Sequence, residues 1–261
     1  AAAGNFLGGA STLGATVTNK GTGTADQSAT LTGGFTYIAA PSATATPAVA
    51  TASDSGSSNS DGVTSDNTPT ISVGSATNGN TVTVTATKAG SANVACTFTA
   101  TAQSSCDLGT LADGTWTVTS TQTNSGVTST ASSAMSMTID TARPTVSSFF
   151  STKADGTYGI GTTINITATM SETVADGASI TVTLDTGDTV VLTKASGTTL
   201  TGTYTVGIGD TSNDLTVSSY VLTSAPTDTA GNALTSTSVP SGANNIAGAH
   251  ALAISTTPPV V

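Results

Sequence analysis

The chain has 261 residues, a net charge of −10 and a pI near 4.1, with only five Lys and Arg. So few cations cannot track a phosphate backbone, which excludes a nucleic-acid partner, and no run of 18 apolar residues offers a membrane span. Charged residues are 8% of the chain and aromatics 4%, whereas Thr alone is about a fifth. An ordinary globular protein carries about 25% charge, and a disordered chain combines low hydropathy with high charge. Here mean hydropathy is slightly positive, so the Thr-rich alternation reads as exposed sheet faces over cores of Val, Ile, Leu and Ala.

The first fifty residues differ from the rest. The start Ala-Ala-Ala-Gly, with no initiator Met, matches what signal-peptidase cleavage leaves in a small-residue context, and points to an exported, extracellular chain. Thr16-Val-Thr18, Ala29-Thr-Leu-Thr32 and Phe35-Thr-Tyr-Ile38 alternate, with a break at Gly33-Gly34. Residues 40–50, rich in Pro and small side chains, read as an extended linker. Two or three strands without a sheet are marginal alone, so this segment must pack on the following domain or on another subunit.

From Pro69 the pattern becomes regular. Asn78-Gly79-Asn80 is a turn, and Thr81-Val-Thr-Val-Thr-Ala-Thr87 is a period-2 strand. Residues 93–101 alternate through Val94, Cys96 and Phe98; Thr115-Trp-Thr-Val-Thr119 and Ala134-Met-Ser-Met-Thr-Ile139 follow. A second series runs from Val146 through Thr163-Ile-Asn-Ile-Thr-Ala-Thr-Met170 and Ser179-Ile-Thr-Val-Thr-Leu184 to a last strand over 249–254. No window holds apolar residues at helical spacing over three turns, so helix is essentially absent. The expected fold is all-β: two tandem immunoglobulin-like β-sandwich domains, at 51–142 and 143–261, preceded by an extended strand-forming segment at 1–50. The seam Thr138-Ile-Asp-Thr-Ala-Arg-Pro-Thr-Val146 joins them. Its proline recurs at Pro69 and Pro259, at intervals of 75 and 115 residues that bracket one sandwich of about 100 residues.

These residues carry a resemblance. Asp61-Gly-Val-Thr-Ser-Asp-Asn-Thr-Pro-Thr-Ile71, Leu111-Ala-Asp-Gly-Thr-Trp-Thr-Val118 and Ile139-Asp-Thr-Ala-Arg-Pro144 are similar to the bacterial Ig-like repeats of surface adhesins. Lys153-Ala-Asp-Gly-Thr-Tyr158, Ser171-Glu-Thr-Val174 and Asp228-Thr-Ala-Gly-Asn232 resemble a related repeat of bacterial surface proteins. The resemblance spans roughly 52–258 and rests mostly on turn chemistry. It implies stalks, adhesive arrays or wall-associated polymers at the cell surface.

Catalytic patterns are missing. The single His250 has no G-x-S-x-G elbow to serve, and the chain holds no P-loop, no G-x-G-x-x-G and no Cys/His metal cluster. A non-enzyme is expected. Cys96 and Cys106, the only cysteines, are read as a disulfide closing a hairpin that turns near Gln103-Ser-Ser105, with two buried free thiols as the alternative. Fourteen of the fifteen acids are Asp. Asp54, Asp61 and Asp66 share one loop, and Asp113 and Asp140 stand at a turn and at the junction. Two readings stay open for these five: plain turn chemistry, or a calcium site in which Asp, Ser and carbonyl oxygens wrap the ion. A Lys–Asn isopeptide bond needs a neighbouring carboxylate, for which Glu172 with Lys153 or Lys194 is the candidate, and Asn165-Ile-Thr167 is the only N-x-[ST] sequon.

The termini set the functional expectation. Strands without a sheet at one end, and a joint begun at Pro258-Pro259-Val260-Val261 at the other, suit a head-to-tail extracellular filament of identical copies joined by donor-strand complementation. The alternatives are a stalk or adhesive segment of a larger calcium-stabilised adhesin, bound to other surface proteins or glycans, and an S-layer subunit.

Overall fold

A computed structural model describes residues 11–19, 27–101, 104–224 and 226–256, of which 11–37 are described by main chain alone. The expectations for residues 1–9, for Gln103 and for the joint at Pro258 lie outside the described residues. The chain forms two compact units, both discontinuous: Ala1–Ala50 with Thr70–Gly109 and Trp116–Ser136, and Thr51–Pro69 with Thr110–Thr115 and Met137–Val261. Among the described residues, apart from one 3-10 turn and one four-residue helix, every regular element is a strand. The protein is all-β, as its period-2 patterns require.

In the first unit, strand Thr81–Thr87 pairs antiparallel with Val94–Thr99 on one side and Gly114–Asn124 on the other. Val82, Val84 and Ala86 are fully buried while the intervening threonines face outward. Burying each of the two valines contributes about 1.5–3 kcal/mol. The register sets Thr81 against Thr99 and Thr123, and Thr83 against Thr97 and Thr121, so β-branched residues meet in cross-strand ranks. A second, three-stranded sheet consists of Ala48–Val49, Thr70–Ser72 and Ser105–Asp107.

Two expectations change here. Residues 42–50 are no free linker: Ala48 and Val49 pair with Ser72 and Ile71, Ala45 N donates to Gly74 O at 3.0 Å, and Thr44 Oγ1 lies 2.7 Å from Ser120 Oγ. The buried Gln122 explains how the segment is held. Its Oε1 accepts Thr77 N at 2.8 Å and Asn80 Nδ2 at 2.9 Å, and its Nε2 donates to Ser42 O at 2.8 Å. The Cys96–Cys106 disulfide is present, with Cα atoms 6.0 Å apart, but it closes no hairpin. Cys96 faces Val84 in the larger sheet and Cys106 faces Ile71 in the smaller one, so the bond clamps sheet to sheet.

Upstream, Ser11–Asn19 and Gln27–Tyr37 form a separate two-stranded antiparallel sheet. Gly33-Gly34 does not break the second strand; the irregularity is absorbed where the register shifts between Leu13 and Ala15.

The second unit holds a six-stranded sheet in the order Val146–Phe150, Thr163–Met170, Thr199–Thr205, Thr189–Ser196, Ser179–Leu184, Val217–Ser224. Gly156–Tyr158, Leu252–Ser255 and Thr211–Ser212 form a smaller sheet. One core cluster takes Ile164, Ile166, Ala168 and Met170 from the first and Leu252 and Ile254 from the second. Phe149 meets Tyr220 edge to face at 5.7 Å. The expected strand at 249–254 begins only at Leu252, because Ile246–Ala249 is a short helix whose first amide donates to Asn245 Oδ1.

Candidate functional site

Three carboxylates converge in the second unit. Strand residues Thr138 and Ile139 pair in parallel with Val63 and Thr64, and Asp140 N continues the ladder to Thr64 O at 3.0 Å. This fixes Asp140 at the end of a ladder whose last residue, Ile139, is buried. Asp228-Thr-Ala-Gly-Asn232 closes as a turn: Asp228 N donates to Asn232 O at 3.1 Å, Asn232 N to Asp228 Oδ1 at 2.8 Å, and Gly231 takes φ +94°. Glu172 follows the strand Thr163–Met170, just ahead of Val174, which bridges to Asp228. Carboxylate oxygens of Asp140, Glu172 and Asp228 all lie within 4.8 Å of one another.

The loop 51–67 packs against the same turn. Gly56, at φ +100°, abuts it so closely that a Cβ there would sit 2.1 Å from Thr229 O. Ser55 Oγ donates to Ala230 O at 2.6 Å and also lies 3.1 Å from Thr64 Oγ1. Only glycine meets both the positive φ and the close approach.

The electrostatics are one-signed. Asp228 is 1% exposed, and among the described residues no Lys or Arg forms an ion pair with any of the three acids. Burial raises the Glu172 carboxyl above its ordinary range, and the charges of Asp228 and then Asp140 raise it further. Such a cluster is relieved by a proton or by a hard cation that prefers oxygen ligands, as calcium does.

The structure does not gather the five aspartates expected for calcium. Only Asp140 joins the cluster; its companions Glu172 and Asp228 come from elsewhere in the sequence. Asp61 Oδ1 accepts Val63 N at 3.0 Å, and Asp66 Oδ1 accepts Thr68 N at 2.9 Å, both local turn bonds. Asp113 binds the Thr141 amide and hydroxyl at 3.2 and 3.0 Å. Asp54 is 4% exposed; its Oδ2 accepts Gly62 N at 3.1 Å, and its Oδ1 has no partner among the described residues. The motifs Ser171-Glu-Thr-Val174 and Asp228-Thr-Ala-Gly-Asn232 contained the other two acids of the cluster, but nothing in a sequence shows that two turns 56 residues apart converge.

The lysines proposed for an isopeptide bond are occupied otherwise. Lys194 Nζ binds Asp176 at 2.8 Å, and Lys153 Nζ donates to Thr163 O at 3.0 Å. Glu172 faces carboxylates rather than an amine. His250 Nδ1 lies 3.3 Å from Asp155 Oδ1 at the surface and its ring sits 5.4 Å from that of Phe150.

No curated protein matches the chain. Among solved structures, the FN1–FN3 domains of chicken CNTN1 are similar at 13% identity and a TM-score of 0.34, over 79% of this chain and 68% of that one. No helix among the described residues is long and apolar enough to cross a membrane. The family model described as a bacterial Ig-like domain matches residues 39–141, a span that takes in the segment held by Gln122 and ends at the seam. Residues 39–141 are thus similar to a bacterial Ig-like domain, a module typical of extracellular and cell-surface proteins with structural or adhesive roles.

Proposed function

We propose that the chain is a non-enzymatic structural subunit of an extracellular filament, assembled head to tail from copies of itself by β-strand complementation. One observation carries this reading. Ser11–Asn19 and Gln27–Tyr37 pair with each other, and no third strand joins them among the described residues. Their register sets Leu13 against Phe35, Ala15 against Leu31 and Val17 against Ala29, while Thr12 meets Thr36 and Thr16 meets Thr30. A two-stranded hairpin of this kind is marginal in water, and a neighbouring subunit supplies the missing strands. A heterologous contact of that sort does not close and propagates as a fibre.

Removing residues 1–40 tests the reading, because it spares the segment 42–50 that Gln122 holds. The truncated chain is expected to remain a folded monomer, and full-length chain to form filaments visible by electron microscopy. Filaments that survive the truncation would sink the proposal.

The three-carboxylate cluster favours a second reading, a calcium-stabilised stalk or adhesive segment of a larger surface protein. Binding of the monomeric protein to glycans or to a host surface, in calcium and without filaments, would select it. An S-layer subunit would instead form two-dimensional sheets in the same microscopy.

A further inference from the structure

The filament reading leaves the receiving surface unnamed, and the following rests on that reading. We propose that the outer edge of strand Val217–Ser224 is the acceptor, and that its occupant is the hairpin Ser11–Asn19/Gln27–Tyr37 of a second copy of this chain.

Val217–Ser224 ends the six-stranded sheet and pairs on one side only, with Ser179–Leu184. Natural edge strands are kept short, charged, interrupted by proline or covered. The other edge strands of this unit's two sheets follow that rule: Val146–Phe150 has five residues, Gly156–Tyr158 three and Thr211–Ser212 two. Val217–Ser224 has eight, with neither charge nor proline. Its first residue shows what the edge accepts. Asn245 lies alongside Val217 as a one-residue strand would: Oδ1 accepts Val217 N at 3.1 Å and Nδ2 donates to Val217 O at 2.9 Å. Beyond Val217 no such partner lines the outer edge among the described residues.

The outward side of this edge carries an exposed valine, Val221, flanked by Ser219 and Thr223. The register aligns Val191, Thr181 and Val221 in one rank across three strands, and Val191 and Val221 are 52% and 60% exposed. An added strand would give Val221 the cross-strand neighbour it lacks, which is the unit of sheet stabilisation.

The hairpin fits this edge in length and charge. Its strands have nine and eleven residues against the acceptor's eight, and neither contains a charged residue. In a chain of net charge −10, copies repel, so contact is least opposed where both surfaces are uncharged.

The test uses the full-length chain. Val221→Lys places a charge on the acceptor edge at an exposed position, and Val191→Lys places the same charge two strands away at similar exposure. The critical concentration for filaments is expected to rise about tenfold or more with Val221→Lys and to stay near wild type with Val191→Lys. Thermal melting checks that both fold; should Val221→Lys melt early, Val221→Thr takes its place with a smaller rise expected. In a second arm, Thr223→Cys in one copy is mixed with Thr16→Cys or Thr30→Cys in another, and a disulfide-linked species of two-chain mass is expected. Equal critical concentrations for the two valine variants and wild type, with no cross-link between copies, overturn the acceptor assignment. If truncation at residue 40 still abolishes filaments in that case, the filament reading stands and only the edge is wrong. A cross-link confined within one chain, made by pairing both cysteines in a single copy, also overturns it.

Discussion

Asn232 Nδ2 donates at 2.8 Å to the main-chain carbonyl of Asp140, 92 residues earlier in the chain, and at 2.8 Å to Asp228 Oδ2. One amide thus ties the seam to the turn and supplies the buried Asp228 with a donor. Asn232→Ala removes both bonds and leaves a buried acceptor unsatisfied, which costs about 1–3 kcal/mol. Urea unfolding should show the midpoint fall with the slope unchanged. Asn232→Asp should be worse, because it adds a fourth carboxylate where three already converge.

The same cluster predicts an interplay of pH and calcium. Glu172 has a folded-state pKa above its ordinary value, so the folded chain holds that proton more tightly than the unfolded chain does. Its effect on stability is therefore favourable below the ordinary Glu value, near 4.3, and is lost as pH rises through the raised value. In chelator, melting temperature should fall across that window. Calcium should reverse the fall, and Glu172→Gln or Asp228→Asn should abolish the calcium response. Asp61→Asn should leave it intact, since Asp61 bonds only its own turn.

Breaking the clamp between sheets has a separate signature. The Cys96–Cys106 bond spans ten residues of sequence, and the chain-entropy estimate for so short a loop is somewhat under 3 kcal/mol. Cys96→Ala with Cys106→Ala should lower the unfolding free energy by up to that amount while leaving the far-ultraviolet circular dichroism of a β protein in place. Thiol-blocking reagent should label the unreduced wild type at neither cysteine.

A second carboxylate gives the opposite pH dependence. Tyr204 OH donates to Asp210 Oδ2 at 2.6 Å, and Gly207 N donates to the same oxygen at 2.6 Å. The tyrosine bond, ahead of the backbone bond, holds the Asp210 carboxyl below its ordinary value, while burial and then that same bond raise Tyr204. Stability from this pair is fully present above the ordinary Asp value, near 3.9, and is lost as pH falls through the lower folded value. The stability difference between wild type and Tyr204→Phe should be constant near neutrality and shrink below about pH 4. A constant difference down to pH 2 would show that Asp210 is not held this way.

Much of the fold was legible in the chain because strand patterning is local. Alternation of Val, Ile and Ala with Thr over Thr81–Thr87 and Thr163–Met170 decides which side of each strand is buried, whatever its neighbours are. Asn-Gly and Asp-Gly pairs mark the turns for the same reason, since Gly79 and Gly114 must reach positive φ within one or two bonds. The resemblance to bacterial Ig-like repeats was legible because its motifs are mostly turn chemistry.

What the sequence could not decide is which distant pieces meet. Residues 42–50 look like a linker until Gln122 and Ile71 bind them. Cys96 and Cys106 look like a hairpin mouth until their strands enter different sheets. For the five aspartates the sequence leaves turn chemistry and a calcium site both open; Asp54, Asp61, Asp66 and Asp113 serve turns and loop contacts, and the acids that converge are Asp140, Glu172 and Asp228. Partner choice between strands and convergence of loops depend on closing long stretches of chain. No local pattern encodes that, so the sequence determined the faces and turns, and only the tertiary structure determined the acidic cluster and the open edge at Val217–Ser224.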